Sequence, residues 1–300
     1  MPDGATQPCW PPVPHAPYET QPAEFRIGLR PIPLEAWFEG GEDEPARRKD
    51  ALFATCPDRV WREVEGSRPA QAEALALISG WLERQTPDEG EAPPLRAAAA
   101  LVPDDLCLMQ KREGEWMLTA ASLCAGTFFT AGEAVGKTMH GLHLPVTRFG
   151  ERLLPRVVRI FDALQPDTIV ERRNWTVLNS SELHLPDPAP VRAVLPGLPL
   201  DQAGEGLFVR IERQTLRRLP ESGAVLFTIR VWRHPLAQLA QDPARLAAFA
   251  QAWEAVMDPL GADFRAYKRL DLYDPWVRSF LVAHVFAPPA SELGHNSPGG

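Results

Sequence analysis

The chain is poor in cysteine. Cys9, Cys56, Cys107 and Cys124 form no C-x-x-C pair, no zinc spacing, no C-x-x-C-H for covalent haem and no iron–sulfur pattern. Free thiols in a reducing compartment are the expectation. No G-x-G-x-x-G opens a helix and no Walker loop is present, so the two familiar nucleotide cradles are excluded. H-E-x-x-H and G-x-S-x-G are missing as well, which argues against a zinc protease or a nucleophile-elbow hydrolase. No apolar run reaches the roughly 18 residues a membrane span needs, so no membrane contact is expected. A basic excess is also lacking: the net charge is -8, which speaks against a nucleic-acid partner. The first residues, MPDGATQPCWPPVPHAP, lack the basic start and apolar core of a secretory signal, and a cytoplasmic protein is expected.

The composition is that of a globular protein, with 45% hydrophobic and 23% charged residues. Residues 1–24 are proline-rich and read as a flexible lead-in, residues 25–285 as a single domain with extensions, and residues 286–300 as a disordered tail. RPAQAEALALISGWLER places Leu75, Ile78, Trp81 and Leu82 at helical spacing behind Pro69. Residues 105–126 read as strand, Glu-Gly turn, strand. Residues 130–164 are helical in pieces broken by Gly141 and Pro145, and the last piece aligns Leu153, Leu154, Val157, Phe161 and Leu164. TIVERRNWTVLNS is a strand, and GLFVRIERQTLRRLPESGAVLFTIRVW is a hairpin closed by PESG. DPARLAAFAQAWEAVM is a helix started by Pro243. The order predicts an α+β fold: a PAS-like antiparallel five-stranded sheet, helices inserted between its second and third strands, and helical extensions at both ends. A pocket is expected between sheet and helices.

Strand alternation sorts the arginines of the hairpin. Arg213 interrupts an apolar face made by Leu207, Val209 and Ile211, and Arg230 stands among Leu226, Thr228 and Trp232. Phe208, Arg210, Glu212 and Gln214 share the other face of the first strand, and Arg172 and Asn174 share a face of theirs. A buried guanidinium is costly unless paired, so these positions imply an anionic ligand or a structural ion pair, such as Arg213 with Glu212 or Glu171. His140 and His143 flank a helix break in GKTMHGLHLPV; a helix-end histidine either caps its helix or ligates haem iron.

Several strings then resemble one family. GLHLPVTRF, ERRNWTV, RIERQTLRRLPESGAVLFTIRVW and the late AYK are similar to the alpha-subunit family of the haem-dependent oxidative N-demethylase, over roughly residues 25–270. The resemblance implies a haem-binding PAS-type domain carrying non-covalent haem b. It implies oxygen-dependent demethylation of a small secondary amine, dimethylamine, to methylamine and formaldehyde. Electrons would come from NADPH through FMN and a 2Fe-2S cluster on reductase-type partner subunits, and tetrahydrofolate on a partner would take up formaldehyde. By the same resemblance His143 is the expected iron ligand, with His140 as the alternative. Arg172 is expected beside the cofactor, Arg230 and Arg213 over the oxygen site, and Glu212 as an acceptor for the amine. The chain departs from the family pattern at CAGTFF, Cys124 to Phe129, and at Thr147. Two rival readings stand beside the enzyme: a haem or small-ligand sensor without turnover, and an inactive paralogue.

Overall fold

The computed structural model describes residues 10, 14–20, 27–40, 45–83, 92–144 and 153–285. Among the described residues seven strands form one antiparallel sheet: β1 Arg30–Ile32, β2 Trp61–Glu63, β3 Asp105–Arg112, β4 Glu115–Ser122, β5 Ile169–Leu178, β6 Phe208–Arg218 and β7 Val225–Pro235. Their spatial order is β1-β5-β6-β7-β3-β4-β2. The expected count of five was therefore short by two. The missed strands, β1 and β2, are three residues each and lie on the two edges. Three residues are too few to display a period of two, and Pro31 masks β1 further, although proline is tolerated on an edge.

The five longer strands are those the sequence marked. The β3–β4 turn is Glu113-Gly114, both at positive φ (52° and 87°), as a two-residue hairpin of matching twist requires. Gly223 takes φ 68° in the PESG loop between β6 and β7. Between β4 and β5 lie the helices Ala131–Ala134, Met139–Leu142 and Leu154–Ala163. The break expected at Pro145 falls outside the described residues, as do most of the lead-in and all of the tail. Of the lead-in, Tyr18 is buried and docks edge-on against Trp175 and Phe249.

The sheet buries both faces, each against different elements. One face, hereafter the extension face, carries Trp175, Val177, Val209 and Ile211 against Leu246, Phe249 and Trp253 of the helix Pro243–Met257. Further along, Leu106, Leu108 and Leu226 meet Leu75 and Ile78 of the helix Arg68–Trp81. The other, the cleft face, carries Cys107, Met109, Val225, Ile229 and Val231 against Ala131, Met139 and Phe161 of the inserted helices. Each fully buried side chain of this size contributes about 1.5–3 kcal/mol, so neither layer is dispensable. Asp242 starts its helix by accepting the N–H groups of Ala244 and Arg245, both at 3.1 Å. Asp242→Ala is expected to cost about 1 kcal/mol in a urea melt.

Candidate active site on the cleft face

Thr138 caps the helix Met139–Leu142 by accepting the Gly141 N–H at 3.3 Å, and the helix ends at His143. The Nδ1 of His143 lies 2.8 Å from the Met139 carbonyl oxygen. That contact places the proton on Nδ1 and the lone pair on Nε2. Burial depresses the His143 pKa, the Met139 carbonyl opposes the shift, and the Arg172 guanidinium adds to it. The imidazole is thus neutral at physiological pH, the form that ligates a metal. His140 lies on the same helix and is exposed.

Register assembles the sheet side of the site. Asn174 pairs with Glu212, and Arg172 with Gln214, across β5 and β6. Asn174 Nδ2 donates to Glu212 Oε2 at 3.1 Å, and Gln214 Nε2 donates to the same oxygen at 3.0 Å. Lys268 Nζ donates to Asn174 Oδ1 at 3.3 Å. Burial pushes Glu212 upward, but Lys268, Arg210, the Asn174 amide and Arg172 outweigh it and hold the carboxylate ionised. Burial depresses Lys268 and Arg172, with Glu212 opposing in each case. Tyr267 is exposed at the edge of this group and interacts with both Glu212 and Arg172. Arg172, Asn174, Glu212, Gln214, Phe227 and Lys268 all keep partial accessibility, although burial is what perturbs the charged ones. These partly accessible groups mark a candidate cleft on this face. Phe227 and, from the inserted helices, Leu142, Leu154 and Val158 are partly buried apolar side chains packed on the same face.

Arg210 closes one end. Its guanidinium donates to the carbonyls of Ala125 (2.5 Å), Leu183 (2.9 Å) and Glu182 (3.1 Å). Asp105 holds the same loop from the other side, accepting the N–H groups of Cys124 at 2.7 Å and Ala125 at 2.8 Å. The CAGTFF departure therefore sits in a clamped loop.

Of the six site residues expected from sequence, His143, Arg172 and Glu212 lie on this face, with Arg172 acting on both of the others. Arg213 and Arg230 do not join them. They face each other across β6 and β7 on the extension face, level with Thr215 and Thr228, whose hydroxyls lie 2.7 Å apart. Arg213 donates to Glu171, to the Ala36 carbonyl and, at 2.9 Å, to the Trp37 carbonyl, and lies 3.1 Å from Glu39. Arg230 donates to the Gly40 carbonyl at 3.2 Å and stacks over Trp232, 4.5 Å from its centroid. Alternation had assigned each arginine to its own strand's face; it could not say which face the inserted helices cover. Sequence reasoning did not nominate Arg210, Tyr267 and Lys268, although Arg210 shares a face with Glu212 and the other two lie in the AYK string.

A family model described as haem-dependent oxidative N-demethylase, alpha subunit-like, matches residues 81–277. The match contains the whole β3–β7 sheet and every residue of the cleft, and the chain belongs to that family. An alpha-subunit-like family implies further subunits. Among the described residues no helix is long and apolar enough to cross a membrane.

Proposed function

We propose that this chain is the haem b-binding, oxygen-using subunit of an amine N-demethylase, with dimethylamine as its substrate and the cofactor held in the cleft between the sheet and His143. The observation that carries the reading is His143 itself: a neutral, half-buried imidazole, oriented by the Met139 carbonyl, within reach of the Arg172 charge and next in the chain to Leu142 of the apolar cluster. The element order, two strands, inserted helices and three strands, supports a PAS-type arrangement within the larger sheet.

The cleft residues fit a haem. His143 offers one nitrogen ligand through Nε2, Phe227, Leu142, Leu154 and Val158 offer an apolar wall, and Arg172 offers a buried Nε with no hydrogen-bond partner among the described residues. Bound there, haem would supply the oxygen chemistry that oxidises an N-methyl carbon, releasing formaldehyde and leaving the primary amine. The chain's own part is to orient and exclude. The Met139 carbonyl fixes the imidazole plane. The apolar wall keeps water from the reacting carbon. Glu212, held ionised by its neighbours, accepts the N–H of a protonated amine. NADPH, FMN and a 2Fe-2S cluster are assigned to partner reductase subunits, and formaldehyde capture by tetrahydrofolate to another. The free thiols Cys107 and Cys124 suit a cytoplasmic setting.

The test is an absorption spectrum of the haem-reconstituted protein, oxidised and then reduced. A Soret band that shifts on reduction is expected. His143→Ala should lose the histidine–iron signature and retain haem about 10–100-fold less tightly. Unaltered coordination in His143→Ala would remove His143 from the site. Formaldehyde release on adding NADPH, dimethylamine and the reductase subunits separates an enzyme from a haem sensor.

A further inference from the structure

The cleft face holds more positive charge than its own side chains balance. Arg172, Arg210 and Lys268 surround Glu212, and the second carboxylate of this face, Asp105, acts on Arg210 and is engaged by the Cys124 and Ala125 N–H groups. Arg210 donates through both terminal nitrogens to three main-chain carbonyls, although its buried Nε, like that of Arg172, has no hydrogen-bond partner among the described residues. Arg172 and Lys268 are not held in that way. The Nε of Arg172 is buried without a hydrogen-bond partner among the described residues, and Lys268 donates to Asn174 at 3.3 Å and lies 5.4 Å from the Tyr267 ring centroid, with no carboxylate in hydrogen-bond contact among the described residues. Glu212 Oε2 is already taken by the Asn174 and Gln214 amides. Keeping unbalanced cations at the edge of an apolar cleft is costly unless an anion meets them. A guanidinium fork beside an ammonium point charge is the chemistry that recognises a carboxylate.

We propose that Arg172 and Lys268 form a carboxylate-binding subsite at the edge of the His143 cleft. Two sources carry that group. One is a propionate of haem, in which case the subsite rests on the haem reading above. The other is the acid group of an N-methylated amino acid bound as substrate. With either in place the two cations are matched, and Glu212 is left to face an ammonium group.

The experiment uses the full chain, native and as Arg172→Met, Arg172→Lys and Lys268→Met, each checked for folding by its thermal melt. The haem-free protein is titrated with haem b and with haem b dimethyl ester, followed by absorption. Haem-free and haem-loaded protein are then titrated with N,N-dimethylglycine and with dimethylamine, followed by calorimetry. If haem supplies the carboxylate, native protein prefers the acid form over the ester by about 10–100-fold. The two Met variants lose that preference, and Arg172→Lys keeps part of it. If a substrate supplies it, the same pattern separates dimethylglycine from dimethylamine. A protein that takes up neither haem form, yet shows an Arg172-dependent preference for dimethylglycine, keeps the subsite and removes the haem reading. The proposal is overturned if native protein distinguishes neither pair of probes, or if the Met variants keep the native preference.

Discussion

Glu171→Gln is expected to lower the unfolding free energy by about 3–5 kcal/mol, the cost of leaving a buried charge without its partner. Glu171 is 1% exposed and is shared by three guanidiniums. Arg213 contacts it within the core, Arg173 lies 2.8 Å away and Arg30 2.9 Å away. The carboxamide keeps the shape and one acceptor oxygen but removes the charge that offsets Arg213, itself 1% exposed. Glu39, at 3.1 Å, cannot compensate fully, since it also serves His15 at 2.5 Å and the Trp232 N–H at 2.9 Å. A thermal melt should fall by on the order of 10 °C. Arg30→Met is the control: that side chain is 61% exposed, so its loss should cost about 0–1 kcal/mol. The double variant Glu171→Gln with Arg213→Met should recover part of the loss, because both halves of the pair are then gone. A Glu171→Gln protein within about 1 kcal/mol of native would show that the network is not a stability determinant. The haem spectrum of Glu171→Gln should be native, since the residue lies on the extension face.

The same network shows what the sequence could and could not disclose. Glu171 was one of two ion-pair partners considered for Arg213, and the structure realises it. The other, Glu212, points from the adjacent position to the opposite face. Period-two patterning fixes which residues share a face within a strand, so Arg172 with Asn174 and Arg210 with Glu212 were legible. It does not say which face the inserted helices cover. That depends on how residues far apart in the chain pack: Trp37, Leu75, Phe249 and Trp253 on one side, Met139 and Phe161 on the other. Hence Arg213 and Arg230 were grouped with His143 although they face away from it. Lys268 reaches Asn174 across 94 positions, a contact no local pattern encodes. The five long strands were legible because each spans eight residues or more, whereas β1 and β2 owe their existence to pairing with β5 and β4.

Asp104→Asn is expected to expose an acid instability of about 3 kcal/mol between pH 6 and pH 4 that the native protein conceals. Two buried groups act there with opposite sign. His234, 2% exposed, is pushed down to about 4 by burial, with the Pro235 carbonyl opposing and Arg245 adding. Below its ordinary value of about 6.5 the unfolded chain takes a proton that the folded chain refuses. Its contribution is therefore complete above pH 6.5 and is lost as the pH falls toward 4. Asp104, 0% exposed, is pushed up to about 6 by burial, against the pull of Arg230, Lys49 and Arg213 and with Glu39 adding. Neither of its carboxyl oxygens has a hydrogen-bond partner among the described residues. Between about pH 6 and 3.9 the folded chain holds a proton that the unfolded chain has released, so this group gains stability as the pH falls. The two slopes, each worth about 3 kcal/mol over its window, nearly cancel. Asn at 104 removes the gain and leaves the His234 loss; His234→Phe removes the loss and leaves the gain. Urea unfolding at steps from pH 7 to 4, read as variant minus native, cancels the acid slope common to the remaining carboxylates. The two difference profiles should diverge with opposite sign below pH 6. If the Asp104→Asn profile runs parallel to native, Asp104 is ionised in the folded protein and is stabilised by Arg230 and Lys49 more strongly than burial opposes it.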